Sequence, residues 1–492
     1  MTDSHDPLQA SRLRAHEELL SSYPHRFERT HLAAELHEAH AGLEPGSATD
    51  LEVSVAGRVM LHRSFGRLQF ATLKDGSGTI QLFVDQEAVG ADDFARFESL
   101  HLGDWLGATG TIMATKRGEL SVRLGGFTIL QKSLRPLPDK WHGLTDVEAR
   151  SRHRYVDLMV NEESLRVAIA RTEVVAELRR ILRKKGFIEV ETPVLLVEAT
   201  GAMAKPFRTH HNALDLDLAM RIATELHLKR LVVGGLERVF ELGRIFRNEG
   251  IDATHNPEFT MLEAYQALAD YQDMMGLIEE LFTGVTATVR GSTTIEYQGR
   301  ALDMSAPFRR ASMIDLVSEA TGQPVDLDAP LSDLSALAEG HQIDVDESWG
   351  PGRLMFELYE RLVEPTIWDP TFVLDYPVEV SPLARRRDDD PRLTERFEIV
   401  IAGSEYANAF SELTDPIDQR QRFQEQAAAR AAGDEEAHPL DEDYLEALEY
   451  GLPPTGGLGI GVDRLVMLLT DSHHIREVIL FPLLRPQERG RT

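Results

Sequence analysis

Between Leu51 and Leu130 apolar residues recur at alternate positions in short runs: VSVAGRVM, RLQFATLKD, TIQLFVD, LGDWLGATGTIMA and ELSVRLGGFTIL. Alternation at period two, broken by Gly, Asp and Ser, is the pattern of half-buried β-strands. About five strands at this spacing predict a small closed barrel, over residues 49–135, of the kind that binds oligonucleotides. Upstream, Leu13, His16, Leu19 and Leu20 sit at near-helical spacing and HLAAELHEAH follows, so a polar helical extension is expected over 1–48. The segment SLRPLPDKWHG, with its two prolines, predicts a linker over 136–150.

Past the linker the period changes. Leu165, Ile169, Val175, Leu178 and Leu182 recur at helical spacing, and Gly186 stands where such a helix stops. FIEVETPVLL follows as an extended segment. RVFELGRIFRNEG, FTMLEAYQA and FEIVIAGSEYANAFSEL have strand character, while GGLGIGV is expected as a glycine-rich turn entering a helix at DRLVMLLT. Residues 305–365 are expected to be a helical insertion, and Asp388–Asp390 a solvated loop. Strands and helices do not alternate regularly. That favours an α+β body over 151–492, not a doubly wound parallel sheet.

Composition narrows the chemistry. The 492 residues include no cysteine, which excludes disulfides, thiolate metal sites and a catalytic thiol. No uncharged stretch reaches the roughly 18 residues of a membrane-spanning helix, and the N-terminus lacks an apolar signal segment, so a cytoplasmic protein without a membrane partner is expected. The net charge of −29 argues at first against a nucleic-acid partner. Residues 1–150, however, carry 21 acidic and 16 basic residues, a balance of −5, and the remaining 60 acidic and 36 basic residues put −24 on the rest. The bases of the first part gather at Lys116, Arg117, Arg123, Lys132, Arg135 and Lys140. A local positive groove is compatible with that total.

No phosphate loop of the G-x-x-x-x-G-K-[ST] form and no H-E-x-x-H zinc helix is present. Strand parity says more. In FTMLEAYQA, Phe259, Met261, Glu263 and Tyr265 share one face; in YANAFSEL, Asn408, Phe410 and Glu412 do. One such strand is compatible with a solvated sheet face. Two together suggest a pocket for a cationic ligand with an apolar stem, carboxylates holding an ammonium and aromatic rings covering methylenes. Arg244, Arg247 and Glu249 form a second constellation, which an ordinary ion-pair network would also explain. Glu398 and Glu405 could offer hard oxygen ligands to Mg²⁺, and Arg464 stands just inside a helix start, where a phosphate can approach.

These segments together resemble the class II aminoacyl-tRNA synthetases. GFIEVETPVLL resembles motif 1, with Pro193 at its proline; FRNEGIDATHNPEFTMLEAY resembles motif 2 and GLGIGVDRL motif 3. RYVDL, THHNALDLDL, ELHLKRLVVGG, PVEVSPLAR and FSELTDPIDQRQRF resemble the bacterial lysyl-tRNA synthetases, so that the likeness runs from about residue 50 to 486. It implies an OB-type barrel that reads the anticodon, a class II domain on an antiparallel sheet flanked by helices, and a homodimer. It implies L-lysine, ATP and tRNA(Lys) as substrates and Mg²⁺, more than one ion, as cofactor. For ATP it implies Arg247 on the α-phosphate, Glu249, His255 and Asn256 placing the nucleotide, Phe259 on the adenine, Arg464 on the γ-phosphate, and Glu398 and Glu405 on the metal. Arg247 and Arg464 are thereby the catalytic pair. For lysine it implies Gly201 in the pocket, Glu225 on the α-ammonium, Arg247 and Asn408 on the carboxylate, Glu263, Tyr265 and Glu412 on the ε-ammonium, and Phe410 along the stem. In the barrel, Phe70 would stack on an anticodon base while Arg63, Gln81 and Glu119 read edges.

The chain departs from that family pattern in places, among them Met203 in TGAMAKPF, Thr224 and His227 in ATELHLKR, and Ala409 in ANAFSEL, where the family pattern has alanine, proline, tyrosine and glycine. They leave open a paralogue whose pocket uses a lysine analogue or excludes an inhibitor. A ligase that lysylates protein would lack the barrel; an aspartate or asparagine enzyme would not pair Glu263 with Glu412; a non-catalytic paralogue would have lost Arg247 or Arg464.

Overall fold

The structure is a computed structural model that describes residues 7–138, 144–202, 204–346, 348–431 and 440–487. The chain divides into two units between Gly143 and Leu144.

In the first unit, apolar side chains at alternate positions all find the same interior. Strands β1 (Ala48–Phe65), β2 (Leu68–Lys74), β3 (Thr79–Asp85), β4 (Trp105–Ala114) and β5 (Leu120–Gln131) close a barrel in the order β1-β2-β3-β5-β4. Val53, Val55, Val59, Leu82, Val84, Leu106 and Val122 point inward, and the intervening residues point out. A Cβ at Gly110 would lie 2.0 Å from the carbonyl oxygen of Arg123, so only glycine lets β4 and β5 cross there. The extension supplies helices Pro7–Leu19 and Ala33–Ala39. The second buries Ala33 and Leu36 in the barrel core and is part of that core, not an appendage.

In the second unit β6 (Ile188–Glu189) follows the long helix Glu162–Lys184, and β7 (Leu195–Leu196), β8 (Arg208–His211) and β9 (Leu216–Met220) make a small sheet of their own. Then come β10 (Arg238–Phe246), β11 (Glu258–Ala267), the hairpin β12 (Thr294–Tyr297) and β13 (Arg300–Asp303), β14 (Arg309–Ser312), β15 (Thr371–Leu374), β16 (Arg396–Ile401), β17 (Ser404–Ser411) and β18 (Thr455–Gly461). Eight of them form one sheet, β14-β15-β16-β17-β18-β11-β10-β6, antiparallel except for its two edge pairs. Helices Glu162–Lys184, Tyr271–Arg290 and Val462–Thr470 pack with Leu262, Ala264, Phe397, Ile399, Ala409, Leu458 and Ile460 in the main core.

Three details differ from the sequence reading. GGLGIGV is not a turn: Thr455–Gly461 is a central strand between β17 and β11. Its weak intrinsic β-propensity is overridden by pairing on both sides. Ile169, expected on the helix's core face, is exposed, and Val167, Ala170 and Val174 are buried along with the expected Leu178 and Leu182. The insertion is helical at Met313–Thr321, Leu331–Gly340 and Pro351–Leu362, but it enters the sheet through β14. The loop at Asp388–Asp390 is tied by ion pairs to Arg385, Arg387 and Arg392. Among the described residues no helix is long and apolar enough to cross a membrane.

Candidate active site

Period-two alternation sorts the central strands into two faces. The face opposite the core carries Phe259, Met261, Glu263 and Tyr265 on β11, Arg396 and Glu398 on β16, and Glu405, Asn408 and Phe410 on β17. On β18 between them every residue of this face from 457 on is glycine (Gly457, Gly459 and Gly461), while Leu458 and Ile460 enter the core. Glu263 and Asn408 are both register partners of Gly459; Tyr265 and Phe410 are both partners of Gly457. The glycine stripe is thus the floor of a cleft of about 450 Å³, within the usual size of a small-molecule site.

At one end lie three buried carboxylates, Glu225, Glu263 and Glu412. Burial pushes Glu263 up to about 7, against a hydrogen bond that its Oε1 accepts from the Thr224 N–H at 3.0 Å. The Tyr265 hydroxyl donates to Glu263 Oε2 at 3.2 Å. Glu412 lies one residue past β17, on the face of Asn408 and Phe410; it is ion-paired with the buried Lys229, and its Oε1 has no hydrogen-bond partner among the described residues. Gly201, at φ +94°, lines the wall beside Glu225, and a Cβ there would meet the Ala223 Cβ at 3.2 Å. An amine with an apolar stem suits this end, because isolated buried carboxylates are costly and an ammonium relieves them.

At the middle Arg247 leaves β10 with its backbone N–H donating to the Pro257 carbonyl at 2.9 Å. Its guanidinium stands 5.2 Å from the centroid of the Phe259 ring. Burial works against its charge, and the carboxylates of Glu249, Glu405 and Glu263 offset part of that. Arg247 Nε and Asn256 Oδ1 are buried without a hydrogen-bond partner among the described residues. Such groups are expensive unless a ligand meets them.

At the far end Arg464, in the first turn of the helix Val462–Thr470, donates to the Glu405 carbonyl at 2.8 Å and meets His255 Nε2 at 3.1 Å. His255 Nδ1 lies 2.8 Å from Asp252 Oδ2, so an acid, an imidazole and a guanidinium stand in series. Burial, followed by the nearby Glu405, pushes Glu398 up to about 8, while Arg396 opposes both. Two carboxylates that repel one another fit a hard divalent cation that takes its remaining ligands from phosphates. Among the described residues no group of three or more acidic or histidine side chains could hold a metal by itself.

All the residues expected for ATP line this one cleft, and so do those expected for lysine except Glu412, which is packed behind Tyr265 and Gly457 at its end. Two neighbours were missed by the sequence reading. Arg396 donates from Nε to Asn408 Oδ1 at 2.9 Å and from Nη2 to Glu398 Oε1 at 2.6 Å, linking the middle to the Glu398 end. It sits at period two from Glu398, which is the signal that would have found it. Lys229 is the other, four residues after Glu225 on the helix Glu225–Val233. Of the departures from the family pattern, Ala409 faces the core, His227 does not line the cleft, Thr224 reaches it through Glu263, and Met203 lies outside the described residues.

In the barrel Arg63 and Phe70 are register partners on β1 and β2, Gln81 lies on β3, and Glu119 precedes β5. Phe70 packs edge-to-face against Phe65 and Phe83, with centroids 6.2 and 5.5 Å away, an aromatic cluster of which only one member was expected. Gln81 Nε2 donates to Ser121 Oγ at 2.9 Å. Lys132 does not belong to a basic groove: it is buried and ion-paired with Asp104. Lys140 lies outside the described residues.

Comparisons with known proteins show the family. Residues 146–485 match the family model described as tRNA synthetases class II (D, K and N), and residues 53–130 match an OB-fold nucleic acid binding domain. A lysine–tRNA ligase of Thermosynechococcus vestitus (strain NIES-2133 / IAM M-273 / BP-1) is 56% identical over 480 residues, covering 96% of this chain and 94% of the relative. Lysine–tRNA ligases of Enterococcus faecalis (strain ATCC 700802 / V583) and Carboxydothermus hydrogenoformans (strain ATCC BAA-161 / DSM 6008 / Z-2901) are 52% and 53% identical, each over 95% of both chains. The chain belongs to the class II tRNA synthetases and, within them, to the lysine–tRNA ligase family.

Proposed function

We propose that this chain activates L-lysine with ATP and transfers it to tRNA(Lys). The observation that carries the reading is the group Glu225, Glu263 and Glu412 around Tyr265 and Phe410, in which Glu412 Oε2 is ion-paired with Lys229 and Oε1 has no partner among the described residues. That set suits an amino acid with two ammonium groups and would repel aspartate.

In the proposed reaction a carboxylate oxygen of lysine bonds to the α-phosphorus of ATP in line with the departing pyrophosphate, giving lysyl-adenylate. The 3′-hydroxyl of the tRNA then bonds to the acyl carbon and AMP leaves. Glu225 takes the α-ammonium, and Glu263, Tyr265 and Glu412 the ε-ammonium, with Phe410 along the stem. Arg247 and Asn408 hold the carboxylate, and Arg247 stabilises charge that develops on the phosphorus. Phe259 stacks on the adenine, Glu249, His255 and Asn256 place the nucleotide, and Arg464 takes the γ-phosphate. Mg²⁺ held by Glu398 and Glu405 would neutralise the phosphate oxygens. With no enzyme nucleophile in the scheme, rate comes from orientation and preorganised charge.

Phe70, Arg63, Gln81 and Glu119 are proposed to receive the anticodon, with Phe65 and Phe83 supporting Phe70. A homodimer is proposed through the motif 1 segment. Exposed Ile188, Val194, Leu195 and Val197 there support it, since such a run seldom stays open to water. Aminoacylation tests the whole reading: tRNA(Lys) should be charged with lysine in an ATP-dependent reaction, and tRNA(Asp) should not be charged at all. Charging of tRNA(Asp) with aspartate would overturn it.

A further inference from the structure

The helix Glu225–Val233 places Lys229 one turn after Glu225, on the same side. Lys229 is fully buried. Its Nζ donates to Glu225 Oε1 at 2.6 Å and is ion-paired with Glu412 Oε2. The ring centroids of Phe410 and Tyr444 stand 5.6 and 5.9 Å from the same nitrogen. Burial alone would drive such an amine neutral; Glu225 and Glu412 outweigh it and keep Lys229 protonated. The other oxygen of Glu412, Oε1, comes so close to the cleft floor that a Cβ on Gly457 would lie 2.0 Å from it.

The charges balance only with Lys229 included. Glu225, Glu263 and Glu412 offer three negative charges when ionised. L-lysine brings two ammonium groups, and its carboxylate is matched by Arg247. The third cation is the protein's own. Without it, a bound diamine would leave one carboxylate buried and unpaired, which is the costly arrangement.

We propose that Lys229 is a positioning residue for amino-acid binding, whose ammonium fixes one oxygen each of Glu225 and Glu412 and leaves Glu412 Oε1 directed at the side-chain ammonium of the substrate. The proposal rests on the lysine reading of the cleft. Lys229 touches no substrate; it sets the number of ammonium groups that the pocket accepts at two. An amino acid of the same length with a neutral end leaves a carboxylate unpaired, so Lys229 contributes to selectivity as well as to affinity.

The test is lysine-dependent ATP–pyrophosphate exchange on the full chain, comparing wild type with Lys229→Met and Lys229→Arg across pH. Lys229→Met should raise KM for lysine at least tenfold and leave KM for ATP within twofold. It should also move the acid limb of kcat/KM for lysine to higher pH, because the carboxylates lose a cation that favours their ionised form. Lys229→Arg keeps the charge and should keep that limb in place even where its size raises KM. If Lys229→Met does not fold, Lys229→Gln, which keeps a donor and much of the volume, replaces it with the same expectations. Unchanged KM and limb in a folded variant, or equal loss for lysine and ATP, would overturn the proposal. So would failure of both uncharged variants to fold, which would make Lys229 a structural ion. Absence of lysine-dependent exchange in wild type would sink the lysine reading itself.

Discussion

Gly457 and Glu412 occupy a space in which no larger residue fits at 457: a Cβ there would lie 2.0 Å from Glu412 Oε1 and 2.5 Å from Tyr265 Cε1. The glycine of β18 leaves open, above the cleft floor, the space that the Glu412 carboxylate and the Tyr265 ring occupy. Gly457→Ala should therefore raise KM for lysine by roughly 10- to 100-fold, in keeping with about 1–3 kcal/mol for overpacking. KM for ATP should change less than twofold. Exchange kinetics with each substrate varied separately decide it; equal loss for both would place the damage in the sheet instead.

Glu263 gives the pocket a pH dependence. Its carboxyl is pushed up to about 7 by burial, and only its ionised form attracts an ammonium. At saturating ATP and Mg²⁺, kcat/KM for lysine should rise about tenfold per pH unit below about 7 and level off above it. Glu263→Gln should flatten that limb and lower the plateau. The same raised carboxyl makes the ligand-free protein more stable below the ordinary carboxylate range and less stable as pH rises through about 7. Glu398, raised to about 8, acts in the same sense. Thermal unfolding between pH 5 and 9 should show the decline, and lysine with ATP and Mg²⁺ should reduce it.

How much of this was legible in the sequence depends on the range of each interaction. Strand parity placed Phe259, Glu263, Tyr265, Asn408 and Phe410 on one surface, because alternation is a local property of the chain. The same parity puts Ala409 in the core, so its departure from the family pattern does not reshape the cleft wall. GGLGIGV reads as a turn because glycine disfavours strands locally; its strand character comes from β11 and β17, far away in sequence. Lys229 was overlooked because its second partner, Glu412, is brought to it only by the fold. Lys132 shows the reverse: a base that counted toward a surface groove is spent inside the barrel on Asp104.

Thr224 has a direct consequence. Its N–H donates to Glu263 Oε1 at 3.0 Å, a bond that a proline at this position could not make. Thr224→Pro should weaken lysine binding at neutral pH by roughly 10- to 100-fold, from about 1.5–3 kcal/mol for a hydrogen bond to a charged group. Its acid limb should move to higher pH. Thr224→Ala retains the N–H and loses only the hydroxyl, which also favours the ionised Glu263, so its acid limb should move in the same direction but less than that of Thr224→Pro. Parallel pH–rate profiles of the two variants separate the backbone donor from the side chain.

Phe70 belongs to the barrel and not to the cleft. Phe70→Ala should raise KM for tRNA(Lys) roughly 10- to 100-fold in aminoacylation, matching about 1–3 kcal/mol for a base stacked on an aromatic ring. Lysine-dependent ATP–pyrophosphate exchange without tRNA should be unchanged. A loss in the exchange reaction would show that Phe70 supports the fold and does not read RNA.

The central claim is that three buried carboxylates and one resident ammonium select a diamino acid, and amino-acid-dependent ATP–pyrophosphate exchange by the wild-type chain tests it most directly. With lysine, β-lysine, ornithine, arginine, aspartate and asparagine supplied in turn, lysine should give the highest kcat/KM and aspartate and asparagine none. Exchange driven by aspartate, or a higher kcat/KM for another member of the panel than for lysine, would contradict it.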